Sequence, residues 1–344
     1  MVLGVLAVFF GIFLIRFGAP LRIDTTYVLR EGAGMQSFYD TLSRRERVRL
    51  KWYLRRHAES TKTILPWSYV FSWTYSPARV MDVFQEWPTH VYEHITILEG
   101  RSSRDIDASL TEDAVIEKGA YHAFITDPDV ISRYAEKYDF LQTAIQERGA
   151  LSSLEGYLYP DTFFVDPSKE VLDQLVTLQL DAFNTRIWVP YGEQLKQVAS
   201  TLNQKGYTFS LSTYGAIILA SIIEKEERAQ SNKPSIASIF FNRLEAGMRL
   251  DADISLCYGL QEPYAYCTPT VIVNNLKDSD NLYNTRARAG LPPTPISNPH
   301  ISSITALLDA PMTNNIFYLH DSDGQIHVSE TLSEHNDKKS KYLQ

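Results

Sequence analysis

The stretch STYGAIILASIIEKEER, residues 212–228, most constrains the fold. On a helix of about 3.6 residues per turn, Ile217, Ile218, Leu219, Ile222 and Ile223 point to most sides. Such a helix needs other elements packed around most of its girth. A chain of 344 residues is long enough for two domains and a substantial core. The apolar run then ends in five charged residues. Glu226 continues the stripe formed by Leu219, Ile222 and Ile223. Glu224 lies over Ile217, Ala220 and Ser221, a roomier face, while Glu227 and Arg228 turn outward. A carboxyl held against apolar groups is harder to ionise, so its pKa rises, as a general acid near neutral pH requires. The plain alternative is a helix end leaving the core with solvated glutamates.

Before this helix the sequence predicts an α+β arrangement. VLGVLAVFFGIFLI (2–15) is uncharged and apolar, and the stretch reaches the length of a bilayer span by Leu21. It predicts a single transmembrane helix over 1–22, with a cleaved signal peptide and a buried helix as alternatives. A strand and turn at 24–34 lead to one or two helices in 35–60. A strand over 68–76, a helix over 77–87, a strand over 91–100 and a Ser-capped helix over 102–112 then form a βααβ pattern of the kind used as a binding module. After the central helix come a helix over 233–247, loops rich in Pro, Asn and Asp, a helix over 301–309, a hairpin turning at DSDG, and a polar tail.

Charge and cysteines exclude some classes. A net charge of −8 gives no electrostatic support for nucleic-acid binding. Cys257 and Cys267 lack metal-ligand spacing, so no metal is expected; they read as free or buried thiols, or as a closed short loop in an oxidising compartment.

Candidate site residues cluster in three further stretches. LEGYLYPDTF carries Glu155 and Asp161 among aromatic residues, FFNRLEAGMRL carries Asn242, Arg243 and Arg249, and Asp253 follows. YNTRARAGLPP carries Tyr283, Asn284, Thr285 and Arg286. Each also reads as structural, since buried Arg and Asp are costly unless paired.

Taken in order, LEGYLYPDTF, LASIIEKE, FFNRLEAGMRL, YNT, GLPP and SETLSEHN resemble the motifs of the membrane-bound endolytic murein transglycosylase family, the YceG-like proteins. ITILEGRSSRDIDASL resembles the strand, turn and helix that precede that family's catalytic domain. The resemblance implies a transmembrane helix (1–22), a membrane-proximal region (23–115) with a LysM-like module at about 66–115, and a catalytic domain (116–344) outside the cytoplasmic membrane. It implies cleavage of the β-1,4 bond between N-acetylmuramic acid and N-acetylglucosamine inside nascent peptidoglycan strands. By the same resemblance the muramyl 6-hydroxyl closes on C1 to leave a 1,6-anhydro end that terminates strand elongation, and no cofactor takes part. The family's catalytic glutamate matches Glu226, with Glu224 in reserve. Glu155, Asp161, Asn242, Arg243, Asp253, Tyr283, Asn284 and Thr285 are the expected substrate-side residues. Implied partners are glycan strands, the membrane and peptidoglycan synthases. The chain departs from the pattern at Ile254, where the family has Pro, and at Ile326, where it has His; His327 lies one step on, and His335 does match. A hydrolytic muramidase pairing Glu226 with Asp253 or Glu155, and a non-catalytic wall-binding protein, are the competing readings.

Overall fold

The computed structural model describes residues 21–22, 25–28, 35–56, 68–71, 74–85, 93–166 and 170–343. The chain is α+β and helix-rich, with two-stranded sheets. It divides into two units, the first ending at Glu93 and the second beginning at His94.

In the first unit β1 (Leu21–Arg22) pairs antiparallel with β4 (Thr74–Tyr75), and β2 (Thr25–Val28) with β3 (Ser68–Phe71). Helices α1 (Met35–Thr41), α2 (Arg44–Arg56) and α3 (Pro77–Gln85) complete it around Leu21, Phe38, Leu50, Val80, Met81 and Phe84. Leu21 and Arg22 are therefore strand rather than the end of a span. Residues 1–20 of the expected transmembrane helix lie outside the described residues. Among the described residues no helix is long and apolar enough to cross a membrane.

The expected βααβ module is shared between the units. Its second strand, β5 (Glu93–Thr96), pairs with β6 (Thr162–Val165) instead of returning to β3 or β4. Its second helix, α4 (Ser103–Glu112), starts with a capping box between Ser102 and Asp105, but its first turn is tied to the second unit. There Ser103 donates to Glu155 and Asp105 accepts from the backbone N–H of Tyr264. By its contacts this helix belongs to the second unit, which begins at His94.

The second unit continues with α5 (Ala120–Thr126), α6 (Pro128–Lys137), α7 (Asp139–Arg148), α8 (Val171–Phe183), α9 (Val189–Lys196) and α10 (Val198–Gln204). The central helix α11 runs Thr213–Glu226, and every residue from Thr213 to Glu224 is buried. Full burial of each Ile or Leu contributes roughly 1.5–3 kcal/mol, so this helix is the main apolar investment of the unit. Ser212 caps it by accepting from Gly215 N–H, and the Glu147 carboxylate accepts from Thr213 and Tyr214 N–H. A carboxylate there also complements the positive end of the helix dipole. Around α11 pack α7, α9, α12 (Lys233–Glu245), α13 (Asp253–Gly259) and α15 (Ile301–Leu308). The 150–161 loop crosses it so closely that a Cβ on Gly156 would lie 2.9 Å from Ile217 and 2.5 Å from Pro295; with φ at +95° only glycine is easy there.

Two helices replace expected loops: α13 and α14 (Pro269–Asn275). The hairpin forms as expected, with β7 (Phe317–His320) antiparallel to β8 (Ile326–Ser329). The polar tail is a helix, α16 (Leu332–Tyr342), capped by Thr331.

Candidate active site

Three glutamates at the end of α11 have three different fates. Glu224 is 8 % exposed and meets the still more deeply buried Lys233 at 3.0 Å. Its other oxygen accepts from His300 N–H (3.0 Å) and Ser303 Oγ (2.7 Å), so it joins α11, α12 and α15 as a brace. Glu227 does not turn outward as the helical angle predicts. The backbone becomes extended there (φ −137°, ψ 119°), and the side chain folds in to accept from Ala229 N–H, Asn232 Nδ2 and His320 Nε2. Arg228 is exposed as expected.

Glu226, the last residue of α11, is partly buried. Its Oε2 accepts from the Tyr318 hydroxyl at 2.7 Å. Among the described residues its Oε1 makes no hydrogen bond, so one oxygen is fixed and the other is left for an incoming group. Burial raises its pKa, and the Asp253 charge adds to the rise. The Tyr318 hydrogen bond and the charges of His320 and Arg286 oppose it without cancelling it.

Tyr318 and His320 come from β7, where alternation puts them on one face and Leu319 on the buried face. Burial and the nearby Glu226 push the Tyr318 phenol far up, so it stays a neutral donor. The hairpin is held in place from α12. Arg243, 5 % exposed, donates from Nε to the Ile316 carbonyl (2.6 Å) and from Nη1 to the Leu250 carbonyl (2.7 Å). Asn242 donates to the Thr313 and Asn315 carbonyls (both 2.8 Å) and accepts from Tyr207 (2.9 Å). Both side chains thus position the hairpin.

Asp253 opens α13, and Arg286 grips it with Nε on Oδ1 and with Nη2 on Oδ2 at 3.0 Å. The pair is about 40 % exposed, which leaves it open to a ligand beside Glu226. Glu226, Tyr318, Asp253, Arg286 and His320 therefore act on one another electrostatically. Sequence reasoning found the first, third and fourth. The two β7 residues were missed, although the FYLH alternation already places them on one face.

The other expected site residues are placed elsewhere. Glu155 is 1 % exposed and accepts from Ser103 N–H and Oγ and from Tyr258 hydroxyl (2.6 Å); burial raises its pKa. Asp161 meets Arg186 at 2.5 Å in a groove with Tyr159 and His300. The Tyr283 hydroxyl lies 2.8 Å from Thr294 Oγ1. Asn284 and Thr285 are buried and bind loop backbone: Asn284 donates to the Asp278 carbonyl (2.7 Å), and Thr285 accepts from Ala252 N–H (3.0 Å). His335 is buried and stacks on Phe317, and burial lowers its pKa; His327 lies 2.8 Å from Asp321. Cys257 and Cys267 form a disulfide, which settles the cysteines against free thiols. Among the described residues no cluster of His, Cys, Asp and Glu fits a metal ion.

Fold and site together define an α+β protein that sets one protonatable carboxyl at the end of a buried helix, under a phenol carried by a hairpin. The chain belongs to the YceG-like family, whose sequence model matches residues 27–341. It is similar to the endolytic murein transglycosylase of Bacillus subtilis, with 28 % identity over 72 % of this chain and 65 % of that protein. The protein of that name from Streptococcus pneumoniae is 25 % identical over 72 % of this chain and 42 % of its own length. The chain thus matches less than two thirds of these relatives. A crystal structure of a yceG-like protein from Listeria monocytogenes superposes with a TM-score of 0.60 at 25 % identity, covering 92 % of this chain and all of that one.

Proposed function

We propose that this protein is an endolytic peptidoglycan lytic transglycosylase with Glu226 as its acid and base. The observation that carries the reading is the half-engaged Glu226 carboxyl, raised in pKa by burial, with Oε2 on Tyr318 and Oε1 free of protein partners among the described residues. Protonated Oε1 gives its proton to the glycosidic oxygen, and the bond from that oxygen to muramyl C1 breaks. The sugar's own acetamido oxygen stabilises C1, so no second carboxylate is needed. Glu226, now a carboxylate, takes the proton from the muramyl 6-hydroxyl as that oxygen closes on C1. The acid is restored and no water enters the product.

Tyr318 serves both halves of the cycle: it fixes the carboxyl plane and stabilises the carboxylate that the first step leaves. The hydrolytic reading draws on Asp253, the other carboxylate acting on Glu226. Its two-point pairing with Arg286 neutralises it and ties up both oxygens, which disfavours nucleophilic attack. Homology over 27–341 and the named relatives support the murein substrate. The uncharged apolar run 2–15 supports a single-pass anchor in the cytoplasmic membrane, with the site outside and synthases as neighbours. The disulfide is consistent with that oxidising side. The LysM-like reading rests on the resemblance of 95–110 alone.

The test uses two variants. Glu226→Gln keeps the fold and glycan binding and loses cleavage. Glu224→Gln strands the buried Lys233 charge and lowers stability in urea by about 3–5 kcal/mol. Turnover retained in Glu226→Gln and lost in a folded Glu224→Gln reverses the assignment.

A further inference from the structure

A pocket of about 500 Å3 opens beside the Asp253–Arg286 pair, lined among others by Arg249, Asp251, Leu276, Lys277 and Arg286. Three cations face one acid there, in a chain whose net charge is −8. Asp251 is already engaged, lying 3.5 Å from Arg243 Nη1. Arg249 and Lys277 are exposed, and among the described residues their side chains make no hydrogen bond or ion pair. The wall that carries Arg249 is fixed in advance. Arg243 holds the carbonyl of Leu250, Asp251 takes a left-handed backbone (φ 55°), and its N–H donates to the Thr285 carbonyl. Arg286 belongs both to this pocket and to the surroundings of Glu226, so the pocket adjoins the candidate active site.

We propose that this pocket receives a carboxylate of the stem peptide carried by the muramyl residue at Glu226, so that peptide-bearing strands are cut in preference to bare ones. The inference rests on the lytic reading and adds to it a determinant of specificity. In peptide-bearing murein the lactyl carboxyl of the muramyl sugar is tied up as an amide, so the anionic groups that remain are carried by the peptides. Two unpaired cations facing one pocket attract such a group, and Leu276 gives an apolar wall for small side chains such as alanine. Arg286, held by Asp253, orients the site, while Arg249 and Lys277 remain free to bind.

The experiment compares wild-type protein, Arg249→Ala/Lys277→Ala and the charge-keeping Arg249→Lys/Lys277→Arg. N-acetylmuramyl tetrapeptide, N-acetylmuramic acid with its lactyl carboxyl blocked as the methylamide, and inorganic pyrophosphate are each titrated at low and high salt. Cleavage of peptide-bearing strands is compared with that of strands stripped by an amidase and then capped as methylamides on the freed lactyl carboxyls. The expected result is about tenfold weaker binding of the muramyl peptide to the alanine variant and a matching rise in KM for peptide-bearing strands. Stripped strands are cut with unchanged KM, and the charge-keeping variant behaves like wild type. Equal effects on both strand types, no effect on either, or wild-type binding of the peptide no tighter than of the bare sugar overturns the proposal. Pyrophosphate bound more tightly than the peptide also overturns it, giving the pocket to a phosphorylated strand end. If peptide binding discriminates as expected but no strand is cut, the pocket stands and the lytic reading fails.

Discussion

A difference of two residues separates a brace from a candidate acid. Glu224 and Glu226 lie on the same helix end, yet one is held by a lysine, a backbone N–H and a serine, and the other by a single phenol. The apolar stripe in the sequence singled out Glu226, which is the less compensated carboxyl of the two. It could not show Tyr318, because contacts between a helix end and a hairpin 92 residues on are set by tertiary packing. Glu227 was misread because the helical angle was extended one residue past the helix end. Tyr318→Phe tests the residue-scale account. Losing that donor removes a hydrogen bond that favours the charged carboxyl, so the Glu226 pKa rises further. The alkaline limb of the activity profile then moves up by roughly one to two pH units, from about 1.5–3 kcal/mol for a bond to a charged group. Turnover falls about tenfold as the carboxyl loses its fixed plane. An unmoved alkaline limb contradicts the assignment.

At the scale of elements, strong periodicity was legible and special turns were not. The helices at 35–56, 77–85 and 103–112, the central helix and the hairpin all follow from apolar spacing, caps and the DSDG turn. Helix α13 was read as a loop because its short LDADISLCYG sequence carries only one turn of pattern, and burial against α11 stabilises it. Strand β5 pairs with β6 outside the expected βααβ module, and a four-residue strand carries no signal for which edge it joins. The segment between α13 and α14 is closed by the Cys257–Cys267 disulfide, which encloses the turn of 3-10 helix at Tyr264–Tyr266. The backbone N–H of Tyr264 binds Asp105 and its ring lies 3.9 Å from Lys225 Nζ, next to Glu226. Replacing both cysteines by serine costs roughly 2–3 kcal/mol by loop entropy. Urea unfolding of oxidised wild type against the double serine variant measures this. An unchanged midpoint shows that the bridge does not restrain the unfolded chain.

For the molecule as a whole, two carboxyls with raised pKa values among the described residues set a pH dependence of stability. Burial is the main cause at both Glu155 and Glu226. Each binds its proton more tightly folded than unfolded. Their contribution is complete below the unfolded value of about 4.3 and is lost as pH rises through the higher folded value. Glu226→Gln removes one of the two. Relative to wild type, its urea midpoint should therefore rise between about pH 4 and pH 7. A difference that shrinks over that range contradicts the raised pKa. The same upward shift keeps the Glu226 carboxyl protonated to higher pH than an exposed glutamate, as the proposed acid role requires.

The central claim is that one carboxyl cuts a glycan strand without water, and its most direct measurement is mass spectrometry of the new strand ends after digestion in heavy-oxygen water. The account predicts ends one water lighter than a reducing sugar and free of label. Reducing ends that carry the heavy oxygen would contradict it.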